Sequence, residues 1–376
     1  MSENQNAGKA GDAGANPAAD TAGRLAPLRA RIDAVDAEIV RLLGERARLA
    51  IAVGEVKRET DAPVYRPERE AQIFDRLRRE ATGPLPGQAL VSIYREVISA
   101  CRALERRIRV AYLGPAGTYS EIAVHRHFGH GVEAVPCATF DEVFRMTEAD
   151  AVDFGVVPVE NSTEGAVNRS LDLLLSTPLA ISGEVSIPVH HCLMTRSGSL
   201  EGVQRIAAHP QALAQCVGWL DGHAPGLERA PVSSNAEGAR LAAEDPGVAA
   251  IAADSAAERY GLRIVESGIQ DDPSNRTRFV VVGRYQCQPS GADQTSLILS
   301  VPDRAGAVHA LIEPLARHGV SMKRFESRPA RQGNWEYYFY IDVIGHKDDD
   351  AVAPALAELR ANAAFYKVVG SYPRSA

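Results

Sequence analysis

One helical pattern of unusual length, residues 25–58, restricts what this chain can fold into. Apolar residues recur there at intervals of three, four and seven, the spacing of a single apolar stripe on an amphipathic helix. Such a helix is about 50 Å long and cannot bury its stripe alone. Shorter helical patterns follow at 67–81 and 88–106. The sequence therefore predicts an all-helical region, 24–107, that is too thin for a monomer and forms a dimer of long helices.

Three cations on the long helix indicate a site for a small dianion. Arg46 and Lys57 are eleven residues apart, which places them almost on one helix face and about 16 Å apart along the axis. Arg29 is seventeen residues from Arg46, about 25 Å along the axis, and cannot reach the same small molecule from the same helix. If Arg29 acts in such a site, it acts in the site of a second subunit. Otherwise, an arginine on a long helix is most often solvated or ion-paired.

From residue 108 the pattern changes to short apolar strands that alternate with helices. Strands are predicted at 109–113, 152–158, 181–186, 203–207, 248–252 and 278–282, which indicates an α/β domain, 108–285, with a mostly parallel sheet. A polar linker at 286–294 leads to a βαββαβ order over 295–376, typical of a ferredoxin-like domain. Residues 1–23 are rich in Ala and Gly and are predicted to form a disordered tail.

Composition excludes several classes of protein. The formal charge of −7 gives nucleic acid no broad attraction, and no apolar run is long enough to span a bilayer. The N-terminus lacks the features of a signal or transit peptide, and the five unpatterned cysteines suit reduced thiols, so a cytoplasmic protein is expected. No metal-ligand spacing is present, and the His190-His191 pair is interpreted as structural, so neither a metal nor a cofactor is expected.

The helical region resembles the all-helical chorismate mutase family. The resemblance is carried by LAPLRARIDAVDAEIVRLLGERARLAIAVGEVKRETDAPVYRPERE at 25–70. It implies an intertwined dimer in which each site takes Arg29 from the partner and the rest from the local chain. Lys57 would donate to the ether oxygen of chorismate as that bond breaks, Glu70 would bind the ring hydroxyl, and arginines would bind the carboxylates. The implied local site residues are Arg46, Lys57, Arg66, Arg69, Glu70, Cys101 and Glu105.

Two of these positions depart from the family's common pattern. Arg66 stands where several members carry Asp, and Glu105 stands where some carry Gln. An ionised Glu cannot donate a hydrogen bond to the ether oxygen. We therefore hypothesise that Glu105 acts in its protonated form and that mutase activity rises toward acid pH. The alternative is that Glu105 pairs with Arg102 or Arg106.

Polar loops at the ends of predicted strands form a second constellation. GPAGTYS at 114–120 and VENSTEGAVN at 159–168 each open a helix, where backbone amides can bind carboxylates, although plain helix capping is the commoner role. Together with HPQALAQC, SNAEGARLA and NRTRFVVV, these segments resemble the prephenate dehydratase family. The resemblance implies two α/β lobes, like those of periplasmic binding proteins, around a cleft where prephenate loses water and carbon dioxide to give phenylpyruvate.

The same resemblance implies roles for particular residues of this region. Thr277 is the candidate acid that protonates the leaving hydroxide, and Asn161 and Gln215 match other catalytic positions. The expected substrate contacts are Thr118, Ser120, Glu160 and Arg278.

The last region resembles the ACT domain of these enzymes, which binds phenylalanine at a subunit interface. One motif is Gly306, Ala307 and Val308, followed by a departure at His309. The other is intact and comprises Glu326, Ser327, Arg328 and Pro329. A plain ferredoxin-like domain in which Gly306 only caps a helix is the alternative. The resemblance predicts feedback inhibition by phenylalanine.

The three resemblances predict a bifunctional mutase and dehydratase of phenylalanine biosynthesis. Its expected partners are chorismate, prephenate, L-phenylalanine and further copies of itself, at least as a homodimer, with no nucleic acid and no membrane. A ligand sensor without chemistry is one alternative, but Thr277, Asn161 and Gln215 together argue against it. A mutase with a dehydrogenase is another, but no G-x-G-x-x-G follows a strand.

Overall fold

The computed structural model describes residues 17–60, 62–301, 304–329 and 337–375. The helical region contains α1 (Pro17–Thr60), α2 (Pro67–Glu80) and α3 (Gly87–Glu105). The predicted disordered tail to Gly23 is therefore too long: α1 already begins at Pro17, because proline suits a first helical turn and the following alanines favour helix. Residues 1–16 of that predicted tail lie outside the described residues.

The apolar stripe of α1 is exposed in this chain. α2 packs on α3 around Phe74, Val91 and Ile98, but α1 contacts α3 only near its end. Leu28, Ile32 and Val35 are more than half exposed, at 53%, 58% and 58%. Within the described chain no element covers these side chains, so the long helix needs another surface against its stripe.

The first lobe of the α/β region is a six-stranded sheet with three helices. Its elements run β1 (Arg109–Leu113), α4 (Tyr119–Phe128), β2 (Glu133–Cys137), α5 (Phe140–Glu148), β3 (Phe154–Asn161), β4 (Gly165–Ala166), α6 (Asn168–Ser176) and β5 (Ala180–Pro188), and β11 (Arg276–Gly283) returns to it. The strand order is β2-β1-β3-β11-β5, with β4 paired to β3. β11 is antiparallel to both β3 and β5.

The second lobe lies between the two chain crossings, after β5 and before β11. It contains β6 (Cys192–Thr195), β7 (Arg205–Ala208), α7 (Pro210–Ala214), α8 (Val217–His223), β8 (Glu228–Pro231), α9 (Asn235–Glu244), β9 (Val248–Ala252), α10 (Asp254–Tyr260) and β10 (Arg263–Ser267). The order is β10-β6-β9-β7-β8. Both sheets are mixed, so the predicted mostly parallel sheet is wrong. An apolar sequence indicates that a strand is buried, but a buried strand can run either parallel or antiparallel to its neighbours.

The C-terminal domain has the predicted βαββαβ order. Its elements are β12 (Asp293–Ser300), α11 (Ala307–Arg317), β13 (Met322–Pro329), β14 (Tyr337–Ile344), α12 (Val352–Asn362) and β15 (Phe365–Pro373). The antiparallel sheet has the order β13-β14-β12-β15, and both helices share one core with it. The ferredoxin-like prediction is confirmed.

The C-terminal domain is packed tightly on the first lobe. Ile298, Tyr340 and Val369 belong to the same buried core as Val159 and Leu174 of that lobe. The backbones approach so closely that a Cβ on Gly370 would lie 2.2 Å from the carbonyl oxygen of Ile181, so only glycine fits there. Lys367 Nζ also donates to three carbonyls at the end of α6. Through this extensive contact the C-terminal domain covers one side of the first lobe.

The helical region is joined to the first lobe through Tyr65, which lies in the α1–α2 connection. Its hydroxyl is 2.7 Å from His127 Nε2, and its ring packs on Phe128 and Phe154. Arg102 Nη2 donates to the carbonyl of Phe128 at 2.7 Å. Burial lowers the pKa of His127 to about 3, and the charges of Arg95 and Arg102 act in the same direction, so its imidazole is neutral.

Candidate functional sites

The predicted mutase residues Lys57 and Glu105 meet where α1 crosses α3. Lys57 Nζ lies 3.2 Å from Glu105 Oε2 and donates to the carbonyl of Val64 at the same distance. Gly54 permits the crossing, since a Cβ there would lie 2.8 Å from Glu105 Cγ. The proposed alternative partners of Glu105 are wrong: Arg102 pairs with Glu70, and Arg106 pairs with Asp153.

Glu70 sits between this site and the dehydratase region. It pairs with Arg102. Burial raises the pKa of Glu70, while the nearby charges of Arg102, Arg95 and Arg46 oppose that rise. Arg46 itself is half-buried on α1.

The remaining mutase positions differ in what surrounds them. Arg66 Nε is held by Glu68 Oε1 at 2.8 Å, and Glu68 in turn accepts from the Tyr285 hydroxyl, so Arg66 is part of a domain junction. Cys101 is buried in α3. Arg69 is exposed, as is Arg29, which lies on the open part of α1.

The predicted dehydratase residues Asn161 and Thr277 are cross-strand partners on β3 and β11. Asn161 Nδ2 donates to Thr277 Oγ1 at 2.8 Å and to Asn275 Oδ1 at 2.9 Å. Its Oδ1 accepts from the backbone amides of Thr163 and Glu164, which fixes the orientation of the amide. The Thr277 hydroxyl hydrogen has no acceptor in the described part of the chain and is therefore available to a substrate.

A chain of hydrogen bonds extends from Asn161 into the second lobe. Thr163 Oγ1 donates to Asn161 Oδ1 at 2.7 Å, and Gln215 Nε2 lies 3.5 Å from Thr163 Oγ1. Gln215 Oε1 accepts from His191 Nε2 at 3.0 Å. Burial lowers the pKa of His191, so a neutral ring with its proton on Nε2 satisfies this geometry. The bonds run in one direction from His191 to Thr277 and connect the two lobes.

Two of the expected prephenate contacts point away from this cleft. Glu160 and Arg278 alternate with Asn161 and Thr277 along β3 and β11, so their side chains leave the opposite face of the sheet. Arg278 Nε lies 2.8 Å from Glu184 Oε2, and its Nη1 lies 2.6 Å from Asp342 Oδ2 in the C-terminal domain. The assignment of these two residues as substrate contacts is corrected on this ground.

The loop that carries Thr118 and Ser120 does face the second lobe. The Tyr260 hydroxyl donates to the carbonyl of Ala116 at 3.0 Å across the cleft. Ser120 is buried at the start of α4, and Thr118 Oγ1 donates to the carbonyl of Leu113. Their roles as substrate contacts stay predictions.

The two motifs of the C-terminal domain lie at the start of α11 and on the edge strand β13. Gly306 has a φ of 78°, which only glycine adopts without strain, and Val308 is exposed. Arg328 Nη1 is bound to the carbonyl of Asn168 and to Asp172 of α6 at 2.7 and 2.8 Å. Ser327 and Pro329 are exposed, and Glu326 is paired with Arg324.

Three residues near Thr277 were missed by the sequence prediction. Thr163 and Asn275 lie within quoted motifs, where a polar residue beside a predicted catalytic one was the available signal. His191 had been interpreted as structural, but its ring contacts Tyr119 and its Nδ1 is buried with no hydrogen-bond partner in the described chain. Its place between the two lobes can be recognised only when the structure shows where the chain passes from one lobe to the other.

Comparison with known proteins gives one assignment for each region. Family profiles match residues 28–106 as chorismate mutase type II, 110–287 as prephenate dehydratase and 295–361 as an ACT domain. A curated bifunctional chorismate mutase/prephenate dehydratase of Neisseria gonorrhoeae is 49% identical over 352 residues, 93% of this chain and 97% of that protein. The Aquifex aeolicus protein of that name is 42% identical over 355 residues, 93% and 98% of the two chains.

A solved structure agrees with the second and third regions. The prephenate dehydratase of Arthrobacter aurescens in complex with L-Phe superposes with a TM-score of 0.66 at 35% identity, covering 71% of this chain and 90% of that one. No helix in the described ranges is long and apolar enough to cross a membrane.

These observations define a multidomain enzyme with a helical mutase domain, a two-lobed dehydratase domain and an ACT domain. The chain belongs to the bifunctional chorismate mutase/prephenate dehydratase family, which combines an isomerase and a lyase in one polypeptide. The family predicted from the sequence motifs is confirmed.

Proposed function

We propose that this chain converts chorismate to phenylpyruvate in phenylalanine biosynthesis and is feedback-inhibited by L-phenylalanine at its ACT domain. The hydrogen-bond chain that ends at Thr277 carries the dehydratase assignment. Because Asn161 donates to Thr277 Oγ1, the hydroxyl hydrogen is left to protonate the departing hydroxide, and the same amide stabilises the charge that then develops on oxygen. His191, Gln215 and Thr163 hold Asn161 in that orientation.

The mutase site is proposed to be complete only in a dimer. Lys57, Arg46 and Glu70 come from one chain, whereas Arg29 is about 25 Å along the helix from Arg46. The exposed apolar stripe on α1 suits a second copy of the same helix, since an isologous pair buries both stripes at once. Arg29 of one copy then reaches the site of the other.

Phenylalanine inhibition is proposed to act through the face of β3 and β11 that lies opposite Asn161 and Thr277. Arg324 lies 3.1 Å from Glu160 Oε2 and also pairs with Glu326 of the second ACT motif. Glu160 precedes the catalytic Asn161 on β3. A ligand that breaks the ion pair between Glu326 and Arg324 therefore changes the ion pair between Arg324 and Glu160 on β3. The Arthrobacter relative was solved with L-Phe bound, which is consistent with this ligand.

The experiment measures dehydratase activity against L-phenylalanine concentration for wild type and Arg324→Gln. Loss of the charge uncouples Glu326 from Glu160, so half-inhibition is expected to need about tenfold more phenylalanine, the effect of losing one charge-assisted hydrogen bond. Arg317→Gln is the matched control, because Arg317 makes exposed ion pairs within the same domain. An uninhibited wild type contradicts the regulation, and equal curves for wild type and Arg324→Gln contradict this route.

A further inference from the structure

A large cavity lies where the three domains meet. It is bounded by α2 and α3, by α4 and β5 of the first lobe, and by the end of β15. Its volume of about 760 Å³ is within the range of small-molecule sites. Of the residues assigned above to mutase or dehydratase chemistry, the described lining includes Glu70 alone. The cavity is therefore not the cleft that contains Thr277.

The charged lining of this junction cavity is unbalanced. Six arginines and three carboxylates line it in the described chain. Each carboxylate is already engaged by a cation. Glu70 pairs with Arg102, Asp75 pairs with Arg79 at 2.9 Å, and Glu184 pairs with Arg278 at 2.8 Å.

Five arginines of the lining are left without a carboxylate. In the described part of the chain none of them has a carboxylate oxygen within 4.0 Å; they are Arg78, Arg95, Arg126, Arg276 and Arg374. They come from three different domains, which the fold has brought to one cavity. Such a concentration of uncompensated positive charge attracts anions strongly, because the surrounding protein focuses the field.

The surroundings of Arg95 show most clearly why this clustering of arginines is destabilising. Its guanidinium lies over the Phe74 ring at 5.0 Å, and its Nε is buried without a hydrogen-bond partner in the described chain. Burial lowers the pKa of Arg95, and the like charge of Arg126 lowers it further. Arg126 lines the same cavity, and a buried donor without an acceptor near a second cation is destabilising until an acceptor is supplied.

We propose that the junction cavity binds a small multivalent oxyanion, a phosphate or a dicarboxylate, between Arg95 and Arg126. Guanidinium groups bind such oxygens through paired N–H donors. The anion satisfies the free Nε of Arg95 and screens its repulsion from Arg126. It also links α3 of the mutase domain to α4 of the dehydratase domain, so its binding stabilises their contact.

The test is calorimetric titration of the full chain with inorganic phosphate and, separately, with succinate, at constant ionic strength set with chloride. One saturable site per chain is expected for at least one of the two, and the responding anion identifies the ligand class. Arg126→Gln is expected to weaken binding about tenfold or more, as for one lost charge-assisted hydrogen bond. The matched control is Arg360→Gln, an exposed arginine on α12 remote from the cavity.

A second variant supplies the missing charge from the protein. Arg126→Glu places a carboxylate beside Arg95 and is expected to raise the melting temperature in anion-free buffer while abolishing the response to either anion. The proposal is overturned if chloride alone reproduces the binding heat and the thermal shift. It is also overturned if neither anion binds, or if Arg360→Gln weakens binding as much as Arg126→Gln.

Discussion

The mutase and dehydratase domains differ in how much of each site one chain provides. In the dehydratase domain, Thr277, Asn161 and Gln215 are joined by hydrogen bonds within a single chain, with a closed core behind them. In the mutase domain, Lys57 and Glu105 meet, but Arg29 is exposed on a helix whose apolar stripe is uncovered. One site depends on the meeting of two lobes, whereas the other is proposed to depend on the meeting of two copies.

The largest expected effect concerns the dehydratase site. Thr277→Ala removes the proposed proton donor, so dehydratase turnover is expected to fall about 1,000-fold, the typical contribution of a general acid. Mutase activity of the same protein is expected to be unchanged, because its residues lie in another domain. Thr277→Ser keeps the hydroxyl and is expected to retain most activity. Normal dehydration by Thr277→Ala contradicts the assignment.

A mixing experiment tests whether the mutase site is shared. Arg29→Ala and Lys57→Ala are each expected to lower mutase activity about 100-fold, as for loss of one preorganised donor. If Arg29 serves the partner's site, refolding the two variants together restores about one quarter of the wild-type sites, since half the dimers are mixed and each contains one intact site.

Dehydratase activity serves as the internal control for that mixture. It is expected to equal that of wild type in both variants and in the mixture. Failure to recover any mutase activity means that Arg29 acts within its own chain or not at all, and the contrast between the two domains then disappears.

Substitution of Glu105 is expected to have a smaller effect, a change in mutase activity of about tenfold. If the site needs a protonated Glu105, wild-type mutase activity falls as pH rises, because the ionised carboxylate pairs with Lys57 and cannot donate. Glu105→Gln supplies a neutral donor at every pH and is expected to be about tenfold more active than wild type at pH 8, with a flat profile. Two equally flat profiles reject the hypothesis.

The junction between the two domains is tested by the stability contribution of His127. Its pKa is about 3 in the folded protein, below the ordinary value of 6.5, so the unfolded chain binds more protons between these values. His127 therefore contributes stability above pH 6.5 that is lost as the pH falls toward 3. His127→Gln is expected to reduce the slope of unfolding free energy with pH by up to about 1.4 kcal/mol per unit in that window.

Urea unfolding from pH 4 to pH 7 measures this slope for both proteins. His130→Gln is a suitable control, since His130 is an exposed histidine in the same region. Parallel curves for wild type and His127→Gln show that the histidine is not buried at the junction.

Local pattern was enough to predict most elements of this fold. The helix predicted at 67–81 is α2, Pro67–Glu80, and the strands predicted at 109–113 and 248–252 are present with those bounds. Periodicity and capping act over a few residues, so the sequence reports them directly. Strand direction was not encoded in this way, and the return of β11 between β3 and β5 made the sheet mixed.

The candidate sites also contain features that local sequence pattern predicts and features that it does not. The motifs supplied Thr277, Asn161 and Gln215, each beside a strand end or helix start that the sequence defines, and the structure joins them through Thr163 in one chain of hydrogen bonds. They did not separate Asn161 from Glu160, which leave opposite faces of β3. That distinction depends on which face the ACT domain covers, and no local signal reports it.

The sequence by itself determined the three regions, the amphipathic stripe of the long helix and the identities of the chemical groups. Only the tertiary structure decided which charges became partners. Lys57 and Glu105 are 48 residues apart in the chain, and Arg324 and Glu160 are farther still. Such pairs form because packed domains bring distant segments within a few ångströms. The same packing gathered around the junction cavity five arginines that have no carboxylate partner among the described residues.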